Sequence, residues 1–212
     1  MTLAFPTFTS GMVLSLSLIM AIGPQNAHVL RMGLQRQHLW LTVAVCALAD
    51  IVLISLGVLG LAQLGGVSDK LLGALIGAGV LFLGVYGWQA FQRFLHPSQP
   101  AAAPAGATPS QAAPPVTQRQ AILSALAFSW LNPHAWLDTA VLIGTASLAY
   151  GQGSKVFGLG AATGSLVWFL LLGAAAFWLG RRLNSLHIWR VLDGAVALMM
   201  WGTAAWLLAG LI

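Results

Sequence analysis

"AIGPQNAHVL", residues 21–30, interrupts a stretch that otherwise reads as a bilayer span. No side chain before Arg31 carries a formal charge, yet Gly23, Pro24, Gln25 and Asn26 stand in the apolar path. The span runs from about residue 5 to residue 30. At about 1.5 Å per residue this is about 39 Å, more than the roughly 30 Å hydrocarbon core requires. Pro24 has no N–H and disrupts the turn before it. Proline is favoured at the first position of a helix, and glycine is tolerated just ahead of it. Gly23-Pro24 therefore reads as a helix stop followed by a restart. A second stretch repeats the pattern: "LNPHAWLD", residues 131–138, sets Asn132, a strong N-cap, before Pro133 inside another over-long apolar segment.

The rest of the chain supports a bilayer setting. It is 58% hydrophobic and 6% charged, against about 25% charged residues in ordinary soluble domains. A pI of about 10.4 raises the possibility of nucleic acid. The nine basic residues form no basic run, so they make a poor nucleic-acid footprint and read better as topology signals. The single cysteine, Cys46, excludes an intrachain disulfide. The N-terminus lacks the positive region of a secretory signal, so the first apolar stretch is expected to be a retained span.

Six apolar segments qualify as spans, at about 5–30, 38–64, 71–92, 120–150, 156–179 and 188–211. Long unbroken apolar runs favour helices over alternating barrel strands. Between the third and fourth lies "HPSQPAAAPAGATPSQAAPPVTQ", residues 96–118, with six of the nine prolines. This composition predicts a mobile, semi-extended linker dividing a first three-helix repeat (1–95) from a second (119–212). Arg31, Arg36, Arg93, Arg119, Arg181, Arg182 and Arg190 fall on one side, and only Lys70 and Lys155 on the other. Positive-inside counting puts the linker in the cytoplasm and both termini outside. Each half has an odd number of spans, so the halves insert with opposite polarity, as in the inverted repeats of secondary transporters. The expected fold is all-α and membrane-integral: six transmembrane helices in a 3+3 inverted repeat, with spans one and four interrupted near the midplane.

A helix broken at membrane depth is tolerable only where protein or a wet cavity covers its free backbone groups. A restart also turns unpaired N–H groups and a positive dipole end toward the break, where a carboxylate is a natural guest. A proline kink that only shapes the bundle is the plainer account of one break. Two breaks, one per half and each beside Asn or Gln, favour a site. Two lone acids strengthen this. Asp50 is the only formal charge between Arg36 and Asp69, and Asp138 the only one between Arg119 and Lys155. An Asp at the bilayer centre costs about 2.5–3.5 kcal/mol on insertion scales and marks a functional site by default. The pair suggests a cationic guest, a proton relay, or both; the alternative is a packing hydrogen bond from a protonated carboxyl. Asp193, three residues after Arg190, is expected to form an interfacial ion pair with it, and Asp69 beside Lys70 to be solvated. His28, Asp50, His134 and Asp138 could be combined as metal ligands, but spacing argues for that only weakly, and neither metal nor cofactor is expected. Trp40, Trp88, Trp178 and Trp189 mostly lie near span ends, where interface anchoring accounts for them. "GALIG" (Gly73, Gly77) and "GAATG" (Gly160, Gly164) permit close helix crossings, within the chain or in a homodimer.

The stretch "GPQNAHVLRMGLQRQHLWLTVAVCALADIVLISLGVLG", from Gly23, strongly resembles the first half of the lysine exporter (LysE/ArgO-type) family of bacterial basic amino-acid exporters. "WLNPHAWLDTAVLIGTAS", from Trp130, resembles its second-half motif. The fuller forms, GPQNA with R-x-G-x-x-R-x-H and then LNPH-x-x-LDT, are characteristic of the branch with basic substrates. The resemblance implies a protein of the bacterial inner membrane that exports lysine, arginine or related molecules, with transport roles for Pro24, Gln25, Asn26, Asp50, Asn132, Pro133 and Asp138. Wider membership includes exporters of neutral amino acids and of cadmium, the alternative substrates here. His28 replaces an aromatic residue of the family pattern, Ala135-Trp136 stands where Val-Tyr is common, and the linker is long.

Residues and resemblance lead to one expected site. The restarts at Gly23-Pro24 and Asn132-Pro133, with the amides of Gln25, Asn26 and Asn132, would hold a carboxylate. Asp50 and Asp138 would meet the amino group and cationic side chain of the guest, and one of them would couple substrate to proton. No serine or zinc motif of a membrane enzyme is present. Two breaks of opposed polarity fit alternating access better than a channel.

Overall fold

The computed structural model describes residues 4–21, 23–61, 69–96, 116–182 and 186–209. Among these, all regular structure is helical. In chain order the elements are α1 (Ala4–Ile19), α2 (Pro24–Gln35), α3 (Leu39–Leu56, continued by a π turn over Gly57–Leu61) and α4 (Asp69–Leu95). Then come α5 (Gln118–Trp130), the short α6 (Pro133–Ala135), a π segment (Trp136–Ile143), α7 (Gly144–Leu148), α8 (Ser154–Arg182) and α9 (Leu186–Ala209). Most of the linker, 97–115, and the side chains of Asp69 and Trp189 lie outside the described residues.

Three helical stretches are long and apolar enough to cross a membrane: Leu39–Gly60, Gly151–Arg181 and Arg190–Ala209. The pair α1 and α2, bent by 75° at the break between them, makes a fourth if counted as one span. The surface is what such helices require. Leu81, Leu159 and Leu198 point outward with 64–74% of their area exposed. Water would penalise these side chains by roughly 25 cal/mol per Å², whereas lipid does not. Trp40, Trp88 and Trp178 are also exposed, and all sit near helix ends that carry arginines.

Where lipid is as apolar as the helices, association depends on close packing. The α1–α8 crossing shows how. Gly11 lies against the Phe157 carbonyl, Gly160 against that of Phe8 and Gly164 against that of Met12, so that any Cβ would collide with backbone. The GAATG stretch is thus used inside the chain, while a Cβ at Gly73 or Gly77 would meet nothing within 4 Å among the described residues. A second pair, α4 with α9, packs around Leu83, Ala90, Val196 and Met200, with Phe128 of α5 and Ala27 of α2 in the same cluster.

The R-x-G-x-x-R-x-H motif docks the end of α2. Gly33 abuts Ala176 of α8 without room for a Cβ. Arg36 donates from Nε and Nη2 to the Gly180 carbonyl at 3.0 and 2.8 Å. Arg36 and His38 both have left-handed backbone, with φ of 54° and 48°, a conformation non-glycine residues seldom adopt. The following chain holds this turn: Gln37 Oε1 accepts from the Val116 N–H at 2.8 Å, and His38 Nε2 lies 3.0 Å from the Val116 carbonyl. Thr117 then opens α5 with a reciprocal capping box to Gln120, which satisfies two otherwise orphaned donors.

Asp193 departs from expectation. Its Oδ1 accepts from Arg31 Nη1 of α2 at 2.9 Å and from Arg93 Nε of α4 at 3.1 Å. Arg190 instead donates to the Phe94 carbonyl at 3.1 Å and stacks over the Phe94 ring. An i,i+3 pair on one helix is worth only a few tenths of a kcal/mol. Tertiary packing brings two guanidinium groups from other helices to the same carboxylate, and they prevail.

Candidate functional site

Both breaks are built locally. Gly23 is the N-cap of α2 in extended conformation, Pro24 occupies its first turn, and no side chain caps the start. Ala27 N–H reaches the Gly23 carbonyl at 3.0 Å, which leaves the Gln25 and Asn26 N–H groups without an intrahelical partner. Asn26 ties the two sides of the break together. Its Nδ2 donates to the carbonyls of Ile19 and Ala21 at 2.8 and 2.9 Å, and its Oδ1 accepts from Trp168 Nε1 at 3.2 Å. At the second break Asn132 Oδ1 accepts from the His134 N–H at 3.2 Å. α4 leans on this break through Gly79, where a Cβ would stand 2.6 Å from Pro133 Cδ and 2.7 Å from the Leu131 oxygen.

Between the breaks lies a cavity of about 310 Å³, at the small end of the range for small-molecule sites. Of the eight residues singled out from the sequence, Gly23, Pro24, Gln25, Asn26, Asp50, Asn132 and Asp138 line it. Pro133 is buried behind them against Gly79. Asp50 is 1% exposed. Its Oδ1 accepts from Gln25 Nε2 at 3.1 Å and its Oδ2 from Ser165 Oγ at 3.1 Å. The Gln25 amide also donates to Ser129 Oγ at 3.0 Å. Helices α2 and α8 thus bond the carboxyl group of α3 directly, and α5 joins them through Gln25. Asp138 sits on the π segment after the second break, its Oδ2 3.2 Å from His134 Nε2. Segments of π-helix often mark functional sites, and this one crosses the π turn of α3 where Gly57 and Gly144 touch.

Sequence reasoning did not single out Ser129, Ser165, or the residues α9 adds to the wall: Gly202, Thr203 and Trp206. The serines left a faint signal, as polar groups inside apolar spans. Trp206 left none, because a tryptophan near a span end reads as an interface anchor. His134 and Asp138 do pair, but the described residues contain no group of three or more His, Cys, Asp or Glu side chains placed to hold a metal.

The cavity lies well away from the arginine end of the bundle. Along α9, Gly202 and Trp206 are about 14–20 Å from Asp193. Three layers of side-chain contacts lie between. Nearest the cavity is the Gln25–Ser129 hydrogen bond. One turn along α2, His28 stacks on Phe128 at 4.5 Å, with Tyr86 and Phe82 edge-on to the same ring at 4.5 and 4.9 Å. Another turn along stands the Arg31–Asp193–Arg93 triad. His28 therefore packs here as an aromatic ring. Both its ring nitrogens are buried without a hydrogen-bond partner among the described residues, which costs about 1–3 kcal/mol per unsatisfied group. His28→Phe keeps the ring stack and removes that penalty. It is expected to raise the melting midpoint of the detergent-solubilised protein by several degrees; a lower midpoint would reveal a polar role for the imidazole.

Comparison with known proteins finds amino-acid exporters similar in sequence along nearly the whole chain. The arginine exporter protein ArgO of Pectobacterium carotovorum subsp. carotovorum (strain PC1) is 36% identical over 201 residues, 94% of this chain and 95% of its own. ArgO of Serratia proteamaculans (strain 568) is 36% identical over 198 residues, 93% of each chain. The lysine exporter LysE of Corynebacterium efficiens is 34% identical over 218 aligned positions, 93% of this chain and 96% of its own. No solved structure matches the chain. The profile of the LysE type translocators matches residues 16–210, a stretch that holds both helix breaks, both cavity acids and the arginine triad: the chain belongs to the LysE type translocator family.

Proposed function

We propose that this protein exports basic amino acids, L-lysine and L-arginine, from the bacterial cytoplasm across the inner membrane. The observation that carries the proposal is the meeting of Asp50 and Asp138, the lone acids of two apolar segments far apart in sequence, in one cavity with both helix restarts. A free amino acid with a cationic side chain carries one negative and two positive groups. The start of α2 and the Asn132-Pro133 restart suit the carboxylate. Asp50 and Asp138 suit the two cations. A site with polar partners for both ends rejects a guest lacking either, because buried groups are then left unpaired.

Six spans form two three-helix repeats of opposed polarity, 1–95 and 119–212, with spans one and four broken at the site. The linker, 96–118, lies in the cytoplasm and both termini outside. The seven arginines against two lysines support this orientation. The cavity then belongs to the outer half, and the three layers separate it from the cytoplasm, so the conformation is the one that releases substrate. A homodimer would use the α4 face at Gly73 and Gly77, since α1 already covers Gly160 and Gly164. Moving one cation out against a potential costs about 2.3 kcal/mol per 100 mV. Inward proton movement offsets it, with Asp50 or Asp138 the point where proton and substrate meet.

The test is transport by purified protein in proteoliposomes, with a panel of labelled solutes. Saturable flux of arginine or lysine, and none of leucine or a divalent cation, is expected. Flux of a neutral amino acid or metal ion alone would reassign the substrate, and flux that does not saturate would indicate a channel.

A further inference from the structure

We propose that His134 is the proton carrier of the exchange, a tethered imidazole that holds Asp138 when protonated and yields it to the cationic end of the amino acid when neutral. This rests on the exporter reading above.

The geometry has three parts. His134 precedes Asp138 by one helical turn, with Nε2 and Oδ2 3.2 Å apart. The His134 side chain is 42% exposed and that of Asp138 only 16%, and both line the cavity. Trp206 of α9 meets the imidazole edge-on at 5.7 Å, with the two ring planes at 90°. An ammonium or guanidinium group that binds Asp138 at Oδ2 would take the place that the imidazole holds. Asp50 is a poorer exchanger: it is 1% exposed and both its oxygens already accept hydrogen bonds from fixed neighbours.

The electrostatic surroundings are simple. The titratable groups lining the cavity are His134 and Asp138 beside it, and Asp50 across from it on α3. Toward the same space α1 presents Leu18 and Ile19, α2 Gly23 to Asn26, and α9 Gly202, Thr203 and Trp206. The contact from α4 is Gly79 against Pro133. Among the described residues, no cation other than a protonated His134 lines the cavity to compete with the guest. Histidine is the side chain whose ordinary titration falls between about pH 5 and 8.

The exchange balances. In the releasing state a proton from outside binds the free ring nitrogen. The imidazolium–carboxylate pair forms, the guest's ion pair with Asp138 breaks, and the guest leaves with its net positive charge. In the loading state the guest's cation takes the carboxylate and the imidazolium returns its proton to cytoplasmic water. One monovalent cation leaves for each proton that enters.

Labelled arginine efflux from proteoliposomes tests this. Wild type is expected to speed up on the order of tenfold as external pH falls from about 8 to about 6. In His134→Gln the ratio of the two rates is expected to fall to about one, whatever the absolute rate. Equilibrium binding in detergent gives a second readout. Arginine affinity should weaken toward low pH in wild type and stay flat in H134Q, while His134→Arg, a permanent competitor, should bind weakly throughout. An H134Q protein that keeps the full pH response overturns the inference and leaves the exporter reading standing. Wild type that moves neither arginine nor lysine overturns both.

Discussion

Asp193→Ala is expected to lower the stability of the protein more than any other single change at the arginine end. The carboxylate is the shared partner of Arg31 and Arg93, with side chains 9%, 11% and 28% exposed respectively. Removing it leaves two neighbouring guanidinium groups unopposed. Breaking a buried ion pair from one side costs about 3–5 kcal/mol, because the surviving charge is left without its partner. The partial exposure of Arg93 argues for the lower end, about 3 kcal/mol. The readout is the melting midpoint in detergent, expected to drop by several degrees or more. Replacing the whole triad by leucine and methionine tests the cause. Apolar substitutes for a complete buried ion network are often neutral or stabilising, so the triple variant should regain most of the loss. An Asp193→Ala midpoint equal to wild type would show that the triad does not hold α2, α4 and α9 together. The same variant should open the closed side: a cysteine introduced at position 28 is expected to react with an aqueous thiol reagent only when Asp193 is gone.

Asp50→Asn is expected to leave the fold intact and remove substrate binding. Asparagine has nearly the shape of aspartate, and the hydroxyl of Ser165 can turn to accept from the new amide while Gln25 still donates to the remaining oxygen. The charge is lost. Truncating one side of a buried, hydrogen-bonded charge pair costs about 2–5 kcal/mol in binding. At the modest end this is on the order of 30- to 200-fold in arginine or lysine affinity. Binding calorimetry beside a melting curve separates the effects: affinity should fall while the midpoint moves by no more than a degree or two. Unchanged affinity would remove Asp50 from the site. A collapsed midpoint would make it a structural residue, the hub through which α2, α5 and α8 meet α3.

Asp50 and Asp193 show why one acid is easier to read from a sequence than the other. Asp50 stands alone in an apolar run, and solvation cost by itself flags such a residue. Asp193 has a basic neighbour three positions away, and the local pairing rule supplies an obvious partner. That rule is weak, and two arginines from distant segments override it. Asn26 teaches a related point. Its polarity marked the break correctly as unusual, but its amide is engaged by the carbonyls of Ile19 and Ala21 and by Trp168. It secures the break and, in this conformation, offers little to a guest.

By itself the sequence determined the apolar helical character of the chain, the places where helices stop and restart, and the two acids that stand out against lipid. These follow from local physics: a proline has no N–H wherever it lies, and a carboxylate away from water is costly whatever surrounds it. Tertiary structure alone decided that the acids share a cavity, that Ser129, Ser165 and Trp206 belong to its surroundings, and that Asp193 joins α2 to α4 and α9. Those contacts span up to 162 positions of chain. They depend on how glycine-lined faces let helices approach, and helix spacing within one segment does not encode which distant neighbour will arrive.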